Sequence, residues 1–327
     1  MNKNVWSFIY NSLMNDIRVM LLYVLESKGS SPGRQGFCMA VNEKQQMAGS
    51  IGGGIMEHKF VELAKDRLEK IKNKGDDSLN ENEIRKQVHD KSATNNQSGM
   101  ICSGEQTLVI IELKKKDIDA VAKINKCIDQ HKNGCLRLSA EEFSFSEIIP
   151  DKNFEFIFSD ENQWTYIEKI GYKNFLFVVG GGHCSLAFCR LMSTMDFYIT
   201  LYDDRKGLNT LMANEYAQEV ELVTDYAELE HHIPSGENNY VVVMTFGYRT
   251  DDIAVRSLIN KSFKYFGLLG SKKKIEKMFE NYRNEGINES CLKNIHSPIG
   301  LAIQSETPEE IAISIAAEII QVKNKKR

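Results

Sequence analysis

Phe175-Leu-Phe-Val-Val-Gly-Gly-Gly-His183 has the composition of an apolar strand emptying into a glycine turn. Tyr198-Ile-Thr-Leu-Tyr-Asp-Asp-Arg205 follows about twenty residues later. Gly180 and Gly182 permit a tight turn that brings backbone N–H groups up to a phosphate or diphosphate at the start of the next helix. Asp203 or Asp204, at the end of the second run, is placed to accept hydrogen bonds from a ribose-like diol. The third position of this fingerprint is Ser185, where the closest helix-to-strand packing ordinarily takes glycine. His183 directly follows the glycines, where an imidazole can contact an anion, act as a general acid, or simply cap the helix.

A second glycine cluster, Ala48-Gly-Ser-Ile-Gly-Gly-Gly54, runs into a segment whose apolar positions 56, 60, 63, 64, 68 and 71 recur at helical spacing. These glycines therefore open a helix, with free amides and the positive end of the helix dipole facing the loop. Upstream, the turn-rich loop Ser27–Gly36 carries Arg34. The two loops can converge on one phosphorylated ligand, or do no more than turn the chain. Cys102 lies in a Cys-Ser-Gly turn ahead of the apolar run Thr107–Leu113. An accessible thiol beside backbone donors is a reactive one; a packed thiol is a small hydrophobe.

The elements that must position these residues are legible as patterns. Tyr240–Thr245 and Tyr265–Gly270 are continuous apolar runs, expected of parallel strands covered on both faces. Helical patterns cover Asp251–Leu258, Lys272–Asn284 and Pro308–Val322. The last is announced by Thr307-Pro308-Glu309-Glu310, an N-cap threonine, a first-turn proline and a glutamate at N3. Arg18–Glu26 and Phe37–Val41 read as strands, Asp117–His131 as a helix, and Phe154–Phe158 with Trp164–Glu168 as a hairpin. The polar stretch 72–98 reads as a mobile or loosely helical excursion. The predicted fold class is α/β: a separate N-terminal α+β domain over 1–171, then a doubly wound parallel sheet over 172–327.

A chain of 327 residues with a formal charge of −4 shows no electrostatic footprint for nucleic acid. No apolar run is long enough to span a bilayer, and the N-terminus lacks a signal-like core, so a cytoplasmic protein is expected. Seven cysteines, at 38, 102, 127, 135, 184, 189 and 291, form neither a disulfide framework nor a CxxC zinc pattern.

Seven blocks in order resemble the XdhC/CoxI family. They are Glu26–Gly36, Gly49–Gly54 with Glu57, Cys102-Ser-Gly104, Val179–His183, Tyr202–Arg205, Tyr265–Lys272, and Ser297–Leu301 with Thr307–Glu310. The resemblance runs from about residue 18 to 322. It implies a C-terminal Rossmann domain and a xanthine dehydrogenase accessory factor. Such a factor is a chaperone that binds molybdenum cofactor (molybdopterin), supports its sulfuration and delivers it to a molybdenum hydroxylase. A cysteine desulfurase and a second copy of the chain, in a homodimer, are the further partners it implies.

Carried over by position, Ser30, Arg34, Gly52, Gly53, Gly54 and Glu57 would line an N-terminal ligand site. Cys102 would face the molybdenum or handle sulfur, since soft thiolate suits a soft metal centre. Gly180, Gly182, His183 and Asp203 would form a nucleotide or pterin-phosphate crevice, with Lys272, and Lys273 beside it, as added phosphate contacts. Two departures stand out: Phe246-Gly-Tyr-Arg249 replaces a stretch where the family shows histidine, and Gly300–Ser305 lacks the usual aspartate. No nucleophile, base and orienting group form a set, so a cofactor carrier is expected rather than an enzyme. The alternatives are an NAD(P)-dependent oxidoreductase, with NAD(P) or another nucleotide in the Rossmann domain, and a ligand-free scaffold or regulatory protein.

Overall fold

The structure, a computed structural model, describes residues 3–74, 82–88 and 104–325. Its contacts divide the chain into one unit ending at Gly171 and another beginning at Tyr172.

The first unit contains α1 (Lys3–Met14), β1 (Val19–Gly29), β2 (Cys38–Asn42), β3 (Met47–Gly49), α2 (Gly54–Lys74), β4 (Glu83–Val88) and β5 (Gly104–Leu113). After these come α3 (Ile118–Asp129), β6 (Gly134–Ser139), β7 (Phe143–Ser146), β8 (Phe154–Asp160) and β9 (Gln163–Ile170). Two antiparallel sheets result, in the orders β3-β2-β1-β5-β4 and β7-β6-β9-β8. The central strand β1 is apolar without alternation because both its faces are covered. Met20, Leu22 and Val24 pack on Met56, Phe60, Ala64 and Leu68 of α2. Val19, Leu21 and Tyr23 join the core that holds Trp6 and Ile9 of α1 and Ile124 of α3. Within the stretch 72–98, residues 83–88 form the edge strand β4 against β5, a correction to the loosely helical reading. The six residues Glu-Ile-Arg-Lys-Gln-Val are too polar to read as a strand, and pairing with the long neighbour β5 supplies what periodicity does not.

The second unit is built from β10 (Phe175–Val179), α4 (His183–Met192), β11 (Tyr198–Asp203), α5 (Asn209–Met212), β12 (Glu219–Leu222), α6 (Leu229–His232) and β13 (Gly236–Val243). It continues with α7 (Tyr248–Leu258), β14 (Phe263–Leu268), α8 (Lys272–Asn284), α9 (Glu289–Lys293), β15 (Ile295–His296) and α10 (Pro308–Asn324). The sheet is parallel throughout, in the order β12-β11-β10-β13-β14-β15. The chain winds outward from β10 to β12, then restarts beside β10 with β13, which makes the β10/β13 boundary the topological switch point where such sheets open a crevice. Leu176, Val178 and Tyr240 pack against α4 and α10 on one face, and Val179, Val241 and Val243 against α7 and α8 on the other. The cap of α10 forms as its sequence predicts. Thr307 Oγ1 accepts from the Glu310 amide at 3.3 Å, and Glu310 accepts from the Thr307 amide at 3.1 Å.

Candidate functional site

Val179 lies opposite both Tyr202 and Val243, so the loops after β10, β11 and β13 leave the sheet edge side by side. Gly180 adopts φ +105°, and a Cβ there would sit 2.7 Å from the Thr245 Cα and 2.8 Å from the Met244 carbonyl carbon. The glycine is what lets the tails of β10 and β13 touch. Gly182 is the N-cap of α4 and Gly247 the N-cap of α7, and neither has any atom within 4 Å of where a Cβ would stand. No side chain caps α4. The positive end of its dipole therefore opens directly onto the crevice.

The ionised groups around this opening form two pairs, each a buried carboxylate with a partly exposed cation. Asp203 is fully buried; its carboxylate accepts from the Gly181 amide at 2.6 Å, from the Arg205 amide at 2.8 Å, and from Arg205 Nε and Nη2 at 2.9 and 2.7 Å. Burial works against the carboxylate, but the Arg205 guanidinium and these amides outweigh it and hold the Asp203 pKa below the usual carboxylate range. The same hydrogen bond raises the pKa of Arg205. Across the switch point, Asp251 is also fully buried; it accepts from the Thr245 amide at 2.9 Å and the Thr245 hydroxyl at 2.5 Å, and pairs with Lys274. Between the pairs stands Phe246, 85% exposed, with the Arg205 guanidinium carbon 5.7 Å from its ring centre.

Two expectations from sequence are corrected by this geometry. Asp203 is not an open acceptor for a diol, because Arg205 and the glycine loop fill its coordination. Lys272 is not a crevice lysine: it stands in solvent, 3.9 Å from Glu276, and Lys274, two residues on, is the one that turns inward. Lys273 is likewise exposed. His183 is exposed at the first turn of α4 and borders a cavity of about 500 Å³ with Leu186, Arg190, Tyr216, Pro308 and Ile313. Ser185, the departure from the glycine fingerprint, is fully buried, its hydroxyl 4.0 Å from the Cys189 sulfur. Asp251, Lys274 and the Asp203–Arg205 pairing escaped sequence reasoning. The spacing Gly247-x-x-Thr250, in which Thr250 Oγ1 accepts from the Gly247 amide at 3.2 Å, could have shown that α7 begins early enough to place Asp251 at the sheet edge.

In the first unit the two glycine-rich loops do meet. A Cβ on Gly52, which has φ +127°, would lie 2.8 Å from the Pro32 carbonyl carbon, and a Cβ on Gly33 an equal distance from that of Ile51. Gln106 ties them, donating to the Ile51 carbonyl at 3.0 Å and accepting from the Ser31 hydroxyl at 3.1 Å. Buried Ser31 makes this link, while Ser30 is exposed, and Arg34 donates to the Gly29 carbonyl of its own loop at 3.0 Å.

Gly53 and Gly54 begin α2 as expected, but Glu57 occupies the amides. Its Oε2 accepts from the Ser50 hydroxyl at 2.6 Å, the Ile51 amide at 2.9 Å and the Gly53 amide at 3.0 Å. Burial opposes ionisation here, yet these donors lower its pKa. Glu57 therefore stands where an anionic ligand would. Glu57→Ala is expected to cost about 1 kcal/mol through loss of this cap. Faster amide hydrogen exchange confined to the start of α2 would show it; unchanged exchange there would remove Glu57 from the role. Cys102 lies outside the described residues.

Known proteins share both units of this chain. A family model for the XdhC Rossmann domain matches residues 176–319, and one for the XdhC and CoxI family matches residues 13–74. The uncharacterized protein YqeB of Escherichia coli (strain K12) is 31% identical over 160 residues, 49% of this chain and 29% of that protein. A probable xanthine dehydrogenase subunit from Bacillus subtilis (strain 168) is 26% identical over 167 residues, 51% of this chain and 48% of that one. The matches thus span less than half the length of either curated relative. The crystal structure of a xanthine dehydrogenase from Bacillus halodurans shares the fold, with a TM-score of 0.70 and 19% identity over 100% of this chain and 97% of that one.

Proposed function

The chain belongs to the XdhC and CoxI family, and on that premise we propose that it is an accessory protein to a xanthine dehydrogenase-type molybdenum hydroxylase. It holds molybdenum cofactor in the crevice of the second unit, supports its sulfuration and hands it to the client. The observation that carries this reading is the uncapped start of α4, open at Gly182, at the switch point of the parallel sheet. When bound, the cofactor supplies a pterin ring, a phosphate and a sulfur-bound molybdenum centre. The residues present fit its phosphate: Gly180 lets the loop lie flat against Thr245, Gly182 leaves room for an oxyanion, and His183 stands beside it.

Sulfuration draws on a different part of the chain. Burial raises the thiols of Cys38, Cys127 (to about 11), Cys135, Cys184 and Cys189, which disfavours the thiolate that sulfur transfer needs. The resemblance to the family assigns that role to Cys102, with a cysteine desulfurase as the sulfur source and a homodimer as the working assembly. An NAD-dependent oxidoreductase is the second reading: Arg205 engages Asp203, which leaves exposed Asp204 as the ribose acceptor it would require.

The test is anaerobic purification from a host with ample molybdenum cofactor, followed by oxidation and pterin fluorescence. Wild-type protein is expected to carry pterin. Gly182→Asp places a carboxylate in the oxyanion position while supplying a good N-cap, so it should lower bound pterin about tenfold with the fold intact. Cys102→Ala should retain pterin but yield an unsulfurated client. Wild-type protein that stays empty would overturn the reading.

A further inference from the structure

We propose that Phe246 and Arg205 form the seat for a planar heteroaromatic ring whose phosphate end lies at the glycine turn of α4. This rests on the crevice being the ligand site, and goes beyond it by assigning the ring-binding residues and the ligand class. An 85% exposed phenylalanine is a standing loss of apolar burial, and it sits on the loop after β13, beside the switch point, rather than on an outer helix face. Its ring is not buried by neighbours, so its open face can take a base or a pterin.

Arg205 completes the seat. Two of its five N–H donors go to Asp203; the other three have no partner among the described residues, and the side chain is 33% exposed. The Asp203 pairing fixes the guanidinium over one face of the ring, 5.7 Å from the Phe246 centre, in the range where a cation and an aromatic face attract, and leaves the other face to a ligand. A guanidinium held in this way can stack on a heterocycle and hydrogen-bond its ring oxygens or phosphate without further ordering. Asp204, 3.8 Å from Arg205 Nε, is the one acid facing this group from the same loop besides Asp203, and it is partnered by the Tyr226 hydroxyl at 3.2 Å. Gly182, at the start of α4, and Gly247, next to Phe246, each leave open space where a side chain would stand. Nucleotides and pterin phosphates share the required chemistry.

Isothermal titration of the full chain with pyrophosphate, ADP and 6-hydroxymethylpterin diphosphate separates the contributions. At least one ring-bearing ligand should bind about tenfold tighter than pyrophosphate, the scale of one stacked base. Phe246→Ala should erase that advantage, Phe246→Trp should keep it, and Phe158→Ala, on an exposed ring of the first unit, should leave it unchanged. Preference for the pterin ligand assigns the seat to a pterin, preference for ADP to a nucleotide. The proposal fails if neither ring-bearing ligand exceeds pyrophosphate, or if Phe246→Ala binds like wild type. Its failure is separable from that of the accessory role: pterin that co-purifies equally with Phe246→Ala sinks the seat alone, whereas ring binding that needs Phe246 in a chain that never carries pterin sinks the accessory role alone.

Discussion

Gly180→Ala is expected to destabilise the second unit by about 3 kcal/mol or more and to empty its crevice. Two effects add. At φ +105° an alanine is strained by roughly 1–3 kcal/mol. Its methyl would also drive into the Met244 and Thr245 backbone, 2.7–2.8 Å away, and backbone cannot rotate aside as a side chain would; such overpacking costs about 1–3 kcal/mol. The least costly relief separates the ends of β10 and β13, which parts the loops that form the crevice. Gly182→Ala, two residues on, is the contrast: φ is −74° and the added methyl meets nothing. It should cost no more than about 1 kcal/mol, the difference between glycine and alanine at an N-cap. Amide hydrogen exchange in β10 and β13 reads this unit without assuming that the whole chain unfolds in one step. Equal protection in the two variants would show that the close approach at Gly180 does not hold the strand ends together.

What the sequence made legible was local. The glycine turn after Val179, the capping box at Thr307 and the full span of α8 could each be read from a handful of neighbouring residues, and each is present in the structure. Patterns that depend on distant partners were harder. Helix α1 buries Trp6 and Ile9 against β1 and α3, but it has no acid in its first turn and no base in its last to announce it. Strand β4 exists because β5 is beside it.

The site shows the same division. Glycines, whose conformational role is intrinsic, were placed correctly at the starts of α2 and α4. Acids were not, because a carboxylate near a cluster of amides can receive a ligand or replace one, and only geometry distinguishes the two. Glu57 and Asp203 both satisfy their own loops. Lys272 and Lys274 differ by two helix positions, enough to point one at solvent and the other at Asp251.

Asp203→Asn tests whether the acid acts as the internal anchor the structure describes. Asparagine keeps one acceptor for the Gly181 amide but leaves Arg205 with only Asp204, 3.8 Å from its Nε, as a counter-charge in a setting where wild type makes two charge-assisted bonds to Asp203. Breaking a buried pair costs about 3–5 kcal/mol, and the partial exposure of Arg205 sets the expectation at the lower end, about 3 kcal/mol at neutral pH. The dependence on pH has a definite sign. The folded pKa of Asp203 is lowered, so its contribution is fully present above the unfolded value of about 3.9 and is lost as pH falls through the folded one. Unfolding free energies of the two proteins should therefore differ at pH 7 and converge below about pH 4 as the wild-type carboxyl takes up its proton. Arg205 freed from its anchor should also swing away from Phe246, so the variant loses ring stacking in the same range where it loses stability. Profiles that run parallel down to pH 3, with a constant gap, would mean that the ionised Asp203 carboxylate is no better stabilised in the fold than in the unfolded chain, and both the anchor and the seat built on it would have to be given up.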